Sequence, residues 1–291
     1  ISQGSRNNIR IVGEIKDPKE LENIIVKHNG GTVYLKDIAT VSFKEKEKTT
    51  EAGAVKRHFD FKTAFSTILL IQGLFTLIMF TTLNNFLGGI FMSLMDAYGL
   101  SLVSVKVWGV MFSVLSLGFI FGNIYIAKYG LGKRPLRNLL VVNLIAWTTC
   151  IFFTIQPSII LLAIGMFIWM TVSPFAETAE QTVIQAVVPY EKQGRIFGFA
   201  QSIESAATPV TAFLIGPIAQ FIFIPYMTTG KGVQLIGDWF GTGPARGIAL
   251  LFTLAGIIGV VITLFAMRSK AFKILSAIML SVISFESAVF I

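Results

Sequence analysis

The sequence predicts an all-α membrane protein of six membrane-spanning helices preceded by a small α+β segment. Three observations predict it. Hydrophobic residues make up 54% of the chain and charged residues only 14%, where an ordinary globular chain carries about 25% charge, and the mean hydropathy is +0.72 even with a polar first segment included. Six apolar stretches are each long enough to cross a hydrocarbon core of about 30 Å, which takes about 20 helical residues. The Lys and Arg residues between those stretches fall mainly on one side.

Residues 1–55 form the polar segment. By residue 51 it has nine Lys/Arg and eight Asp/Glu. Residues 9–15 alternate like a strand, residues 18–27 read as a short helix with Pro18 in its first turn, and residues 32–41 read as a second strand. Asp17-Pro18 and Asn29-Gly30-Gly31 are turn signals between them. The segment is too short to bury a stable core alone. A charged run at 44–48 leads to Lys56-Arg57-His58, which places the boundary near residue 55.

The expected spans are 65–95, 107–127, 136–155, 159–188, 196–225 and 247–267. The first, fourth and fifth exceed what a straight crossing requires, so tilt or extension past the headgroups is expected. Twelve Lys/Arg, at 56, 57, 62, 128, 133, 134, 137, 192, 195, 268, 270 and 273, fall on one side, against Lys106, Lys231 and Arg246 on the other. The positive-inside rule puts both ends of the six-helix unit, 56–273, in the cytoplasm. The expected location is a bacterial inner (plasma) membrane. The last stretch, 274–291, is apolar with Glu286 inside it and reads as a truncated seventh span or an interfacial tail. The chain starts at Ile1 rather than Met, and the expectation is a fragment or a fused product.

Several residue groups carry a family resemblance. Asn85-Phe86-Leu87-Gly88-Gly89, the loop Tyr129-Gly130-Leu131-Gly132-Lys133-Arg134-Pro135, the run from Pro174 to Gln185, the run from Gly194 to Gln201, and Trp239-Phe240-Gly241 with Arg246-Gly247 resemble the C-terminal half of a major facilitator superfamily exporter of the drug:proton antiporter type. That resemblance implies a six-helix half of a major facilitator bundle and secondary multidrug efflux. The implied partners are a small-molecule substrate, protons, the lipid bilayer, and a second six-helix half or a homodimer. The loop at 127–134 matches the family's cationic gating loop through Lys128, Gly130, Lys133 and Arg134, with Arg195 nearby, but lacks its acidic member. Residues 9–41 resemble a fragment of the porter domain of resistance-nodulation-division efflux pumps. A lipid or siderophore exporter of the same fold, and a non-transporting membrane module or remnant of a fused gene, are the alternatives.

Carboxyls inside a bilayer cost at least about 2.5–3.5 kcal/mol at its centre, so they persist where they face protein, water or a cation. Glu177, Glu180 and Glu204 are the proton-coupling candidates. Glu177, Glu180, Gln181 and Gln185 share one face of the fourth helix, and Gln201, Glu204, Ser205 and Thr208 repeat that pattern on the fifth. Glu180 and Glu204 lie at similar depth, about 12 Å from the helix ends on the more basic side, so they can meet. Two carboxyls in a cleft of low dielectric share a proton rather than both ionise, which suits a proton carrier opposed by a cationic or amphiphilic substrate. The other reading is that these helices end early and leave the carboxyls among headgroups beside Lys192 and Arg195.

The substrate-path candidates are Asn84, Asn85, Gln181, Gln185 and Gln201. The adjacent amides Asn84 and Asn85 line a path or bond neighbouring helices, and Phe86, Phe91, Met92 and Met95 are candidates for an apolar pocket. Pro174 and Pro209 permit helix bending. Enzymatic function is not expected. The two histidines both precede the first span, the single Cys150 allows no intramolecular disulfide, and no phosphate-binding glycine loop is present. No catalytic residue, cofactor or metal is therefore assigned. The net charge of +8 comes mainly from residues placed to meet anionic lipid, so nucleic acid is not an expected partner.

Overall fold

Apolar helices in this chain are separated by Gly, Pro and Ser, and those residues set where each one starts and stops. A computed structural model describes residues 25–27, 33–34, 61–132 and 134–289. The chain divides into two units, Ile1–His58 and Phe59–Ile291.

In the first unit, β1 (Ile25–Lys27) pairs antiparallel with β2 (Val33–Tyr34), Ile25 opposite Tyr34 and Lys27 opposite Val33. The expected helix at 18–27 is therefore wrong at its end. The β-branched Ile25 and Val26 favour the extended pairing over a last helical turn. The rest of that helix, the strand at 9–15 and most of the strand at 32–41 lie outside the described residues.

The second unit is helical. The expected first span is two helices, α1 (Phe61–Leu70) and α2 (Leu74–Leu100). Gly73 breaks them apart at φ 90°, and an added Cβ there would meet the Ala271 carbonyl oxygen at 2.5 Å. Only glycine takes that backbone and that approach together. The second span is α3 (Val105–Leu115) followed by α4 (Leu117–Tyr129). Pro135 opens α5 (Pro135–Phe152), where a missing N–H costs nothing. Ser158 caps α6 (Ile159–Val187) by accepting from the Leu161 N–H.

The fifth span is the longest. It runs from Tyr190 to Thr228 as α7 (Tyr190–Ile218), a π-helical turn over Ala219–Phe223, and α8 (Ile224–Thr228). A short helix, α9 (Lys231–Phe240), leads to α10 (Pro244–Arg268). Finally α11 (Lys270–Val289) packs Phe272, Leu275 and Met279 into the bundle. The apolar tail thus continues as a helix with one docked face. Six helical segments among the described residues are long and apolar enough to cross a membrane.

The main packing pairs are α2 with α7, α5 with α6 and α10, and α4 with α6. Two apolar clusters fill the bundle, one at each end. One takes residues such as Leu77, Leu139, Val183, Phe199 and Met279. The other takes Phe91, Tyr98, Trp108, Trp147, Phe153 and Phe252, with Phe91 and Phe252 stacked at 4.6 Å between centroids. At that second end Arg246 is 3% exposed. It donates to the Tyr98 hydroxyl at 3.2 Å and the Ile155 carbonyl at 2.9 Å, and its guanidinium lies 4.1 Å over the Phe240 ring.

Candidate functional site

Between the two apolar clusters lies a polar belt, to which the helices α2, α5, α6, α7 and α10 contribute. Thr81 on α2, Asn143 on α5, Glu204 and Thr211 on α7 and Thr263 on α10 are all buried there. Buried polar groups must be partnered. Thr211 donates to the Phe86 carbonyl at 2.8 Å, tying α7 to α2, and Asn143 donates to the Leu139 carbonyl at 3.2 Å within its own helix.

Glu204 is 8% exposed and accepts the Thr81 hydroxyl proton at 2.7 Å. Glu180 lies beside Glu204 and Thr81 from α6, and its Oε1 is buried with no hydrogen-bond partner. Three helices thus bring two carboxyls and one hydroxyl together. Both α6 and α7 run regularly through these residues, so the helices do not end early beside Lys192 and Arg195.

A cavity of about 600 Å³ opens from this belt toward the second cluster. Glu177 and Glu180 lie on its wall, Asn84 and Asn85 on the facing α2 wall, and Thr208 at its α7 side. Asn84 does both things the sequence allows. It lines the cavity, and its Oδ1 accepts the Trp147 indole N–H at 2.6 Å while its amide donates to the Phe80 carbonyl at 2.7 Å. Asn85 donates to the Thr81 carbonyl at 3.2 Å and is exposed. Phe91, Met92 and Met95 are lining residues, and Phe86 is not.

The three glutamines lie elsewhere. Gln181, Gln185 and Gln201 are exposed and outside the cavity lining, and Gln201 donates to the Ser205 hydroxyl at 3.0 Å. The polar face of α6 is therefore wider than the cavity wall.

At the basic end, Gly130 and Gly132 take positive φ between α4 and α5. Lys128 is exposed with its ammonium 5.2 Å from the Tyr129 ring centroid, and Arg134 is exposed at the start of α5. Lys133 lies outside the described residues. Arg195 is exposed on α7 and, with Lys192, Thr63 and Thr67, borders a recess of about 20 Å³ against α1.

Sequence reasoning did not pick out Thr81, Asp96, Trp108, Trp147 and Trp169. For Thr81 and Asp96 the signal on α2 is a helical stripe, Thr81, Asn85, Gly88, Met92 and Asp96, which recurs at three to four residues and lines the cavity.

The match to known proteins is at the level of family. The Major Facilitator Superfamily model matches residues 33–212, which end within α7 and include all of α1 to α6. Comparisons with curated proteins and with solved structures gave no match. The six-span helical bundle agrees with the family match, and the chain belongs to the Major Facilitator Superfamily.

Proposed function

We propose that this membrane transporter works by secondary active efflux, moving small lipophilic or amphiphilic compounds outward in exchange for protons. The observation that carries the proposal is that Glu180 and Thr81, on the wall of a 600 Å³ cavity, lie beside the buried Glu204 behind that wall. Two carboxyls in contact attract only when a proton lies between them, and with both ionised they repel. Protonation then holds α6 against α7 and α2, and proton loss loosens that contact. Pro174 in α6 and Pro209 in α7 supply bending points near the same depth.

Loop charge orients the bundle. The end bearing Lys128, Arg134, Lys192, Arg195, Arg268, Lys270 and Lys273 is assigned to the cytoplasm. The carboxyl pair then lies nearer the cytoplasmic end, where Lys128, Arg134 and Arg195 are the candidates for an inner gate. A drug:proton antiporter-like subtype fits this arrangement. The resemblance of residues 9–41 to a porter domain has no part in it.

Alternating access takes two bundles rocking about a central site. Asn85, Gln181, Gln185 and Gln201 are exposed within the spans, and lipid offers them no hydrogen-bond partner. A second six-helix unit is the cover these residues call for.

The test is transport in inverted membrane vesicles, with the chain expressed together with a six-helix partner and a pH gradient imposed. Glu180→Gln and Glu204→Gln should each abolish gradient-driven uptake of an amphiphilic dye while leaving dye binding in place. Uptake equal to wild type in both variants would rule out the coupling role.

A further inference from the structure

A buried acid that gains and loses a proton needs a neighbour that can serve it in both forms. As a carboxylate it only accepts hydrogen bonds, and as a carboxylic acid it must also donate one. Glu204 is buried and does not line the cavity, so the groups packed around it have to meet both needs. Ammonium, guanidinium and backbone N–H groups only donate, and carbonyls only accept. A hydroxyl does either.

Thr81 supplies one. Its Oγ1 lies 2.7 Å from Glu204 Oε1, 3.1 Å from the Ile78 carbonyl oxygen and 3.2 Å from the Leu77 carbonyl oxygen. The hydroxyl has one hydrogen, so it donates to only one of these three acceptors at a time. Both carbonyls belong to α2 and receive helix N–H groups, and that of Ile78 also accepts the Thr82 hydroxyl at 2.7 Å. Neither is stranded when the Thr81 hydrogen turns away. Thr81 is itself buried but belongs to the cavity wall, so it stands between Glu204 and the cavity. From α6, Glu180 faces the pair, with Glu177 beyond it. On α2 the first charged residue is Asp96, on α1 there is only Lys62 at its start, and on α7 the nearest to Glu204 is Arg195, nine positions before it.

We propose that Thr81 is the hydrogen-bond switch of Glu204. With Glu204 ionised, the Thr81 hydroxyl donates to Oε1. When Glu204 takes up a proton from water, its new O–H donates to Thr81 Oγ1, and the Thr81 hydrogen turns to the Ile78 or Leu77 carbonyl. One proton is bound, and both groups keep a partner in either form. Thr81 is a positioning residue, acting through Glu204, and its place on the wall presents the state of the buried acid to the cavity. This rests on Glu204 titrating, which the coupling reading also needs, but not on the substrate or the direction of transport.

The test is infrared spectroscopy of the purified full chain in lipid nanodiscs through a pH titration, with the Glu204 carboxyl band identified by its loss in Glu204→Gln. Thr81→Val keeps the shape of the side chain and removes the hydroxyl. The carbonyl band of protonated Glu204 should then move to higher wavenumber, because its O–H has lost an acceptor. The pH of half-protonation should rise by about one unit, since the bond lost by the charged form is stronger than the one lost by the neutral form. Thr81→Ala should give the same two changes, so the result does not depend on how valine packs. Thr81→Ser should restore both values to wild type, which separates the hydroxyl from the packing. The Thr81→Val changes should persist in a Glu180→Gln background, and their disappearance there would assign them to the carboxyl pair and overturn the proposal. Unchanged band and midpoint in Thr81→Val, changes that serine does not reverse, or a Glu204 band that does not titrate would overturn it too. A Thr81-dependent titration of Glu204 in a protein that shows no proton-driven uptake would sink the coupling reading alone.

Discussion

Replacing Gly73 by Ala should loosen α11 from the bundle, and the structure allows the size of the effect to be worked out. Gly73 has φ 90°, and a left-handed conformation costs a residue with a Cβ about 1–2 kcal/mol. The new methyl would also lie 2.5 Å from the Ala271 carbonyl oxygen and 2.9 Å from Leu275 Cβ. The nearer atom is backbone and has no rotamer to escape into, so overpacking adds about 1–3 kcal/mol. Together the strain is about 2–5 kcal/mol.

Opposing it is the burial of Phe272, Leu275 and Met279, each 3% exposed or less and each worth about 1.5–3 kcal/mol if moved to water. Burial wins, so α11 should stay docked on average but open far more often, by about 30-fold for 2 kcal/mol. The readout is the rate at which a charged maleimide labels Met279→Cys, with and without Gly73→Ala. Cys150 is 3% exposed and serves as a silent background thiol. Gly132→Ala is the control, since Gly132 also has positive φ but an added Cβ there meets nothing within 4 Å. It should leave the labelling rate at Met279→Cys unchanged. Equal rates in the presence and absence of Gly73→Ala would refute the reasoning.

Two further outcomes are expected. A methyl added at Gly122 would collide with the Thr171 carbonyl on α6, so Gly122→Ala should destabilise the α4–α6 contact by about 1–3 kcal/mol. Thermal unfolding in detergent followed by tryptophan fluorescence checks this, and Gly109→Ala, which meets nothing within 4 Å in mid-helix, should leave the midpoint no lower than wild type. Arg246→Lys should lower stability by about 1.5–3 kcal/mol, because one ammonium cannot replace both guanidinium bonds, to Tyr98 and to the Ile155 carbonyl. Arg246→Met should recover part of that loss by removing the buried charge along with the bonds. The same unfolding assay with Met less stable than Lys would contradict this account.

The spans were legible because lipid demands about 20 apolar residues at each crossing, and that demand is written locally in the chain. The break at Gly73 was not, because its cause is Ala271, a residue nearly two hundred positions away. Ile25 and Val26 show the same limit. As part of a charged, turn-rich run they read as the end of a helix, and only the pairing with Val33 and Tyr34 makes them a strand. At the site, helical spacing put Glu177 and Glu180 on one wall, but spacing does not say how wide the cavity is, so Gln181 and Gln185 could not be separated from them. Asp96 was passed over because an acid near a helix end reads as an ordinary interfacial residue. Its partner, the Trp108 indole N–H that it accepts at 2.9 Å, comes from the next helix.

The π-helical turn at Ala219–Phe223 bears on how such spans tolerate insertions and deletions. Along α7 the buried positions Glu204, Thr211, Ile215 and Ala219 keep helical phase, and the next fully buried residue is Met227, one position later than an uninterrupted α-helix would place it. A single extra residue has been absorbed within one turn, so the wider ring acts as a local length adjuster. Deleting one residue there should convert the turn to regular α-helix with the faces on both sides still in phase. The same deletion in α10, which has no such turn, would rotate every residue beyond it away from its partner. Length variation in this bundle is expected to concentrate at that one point on the fifth span.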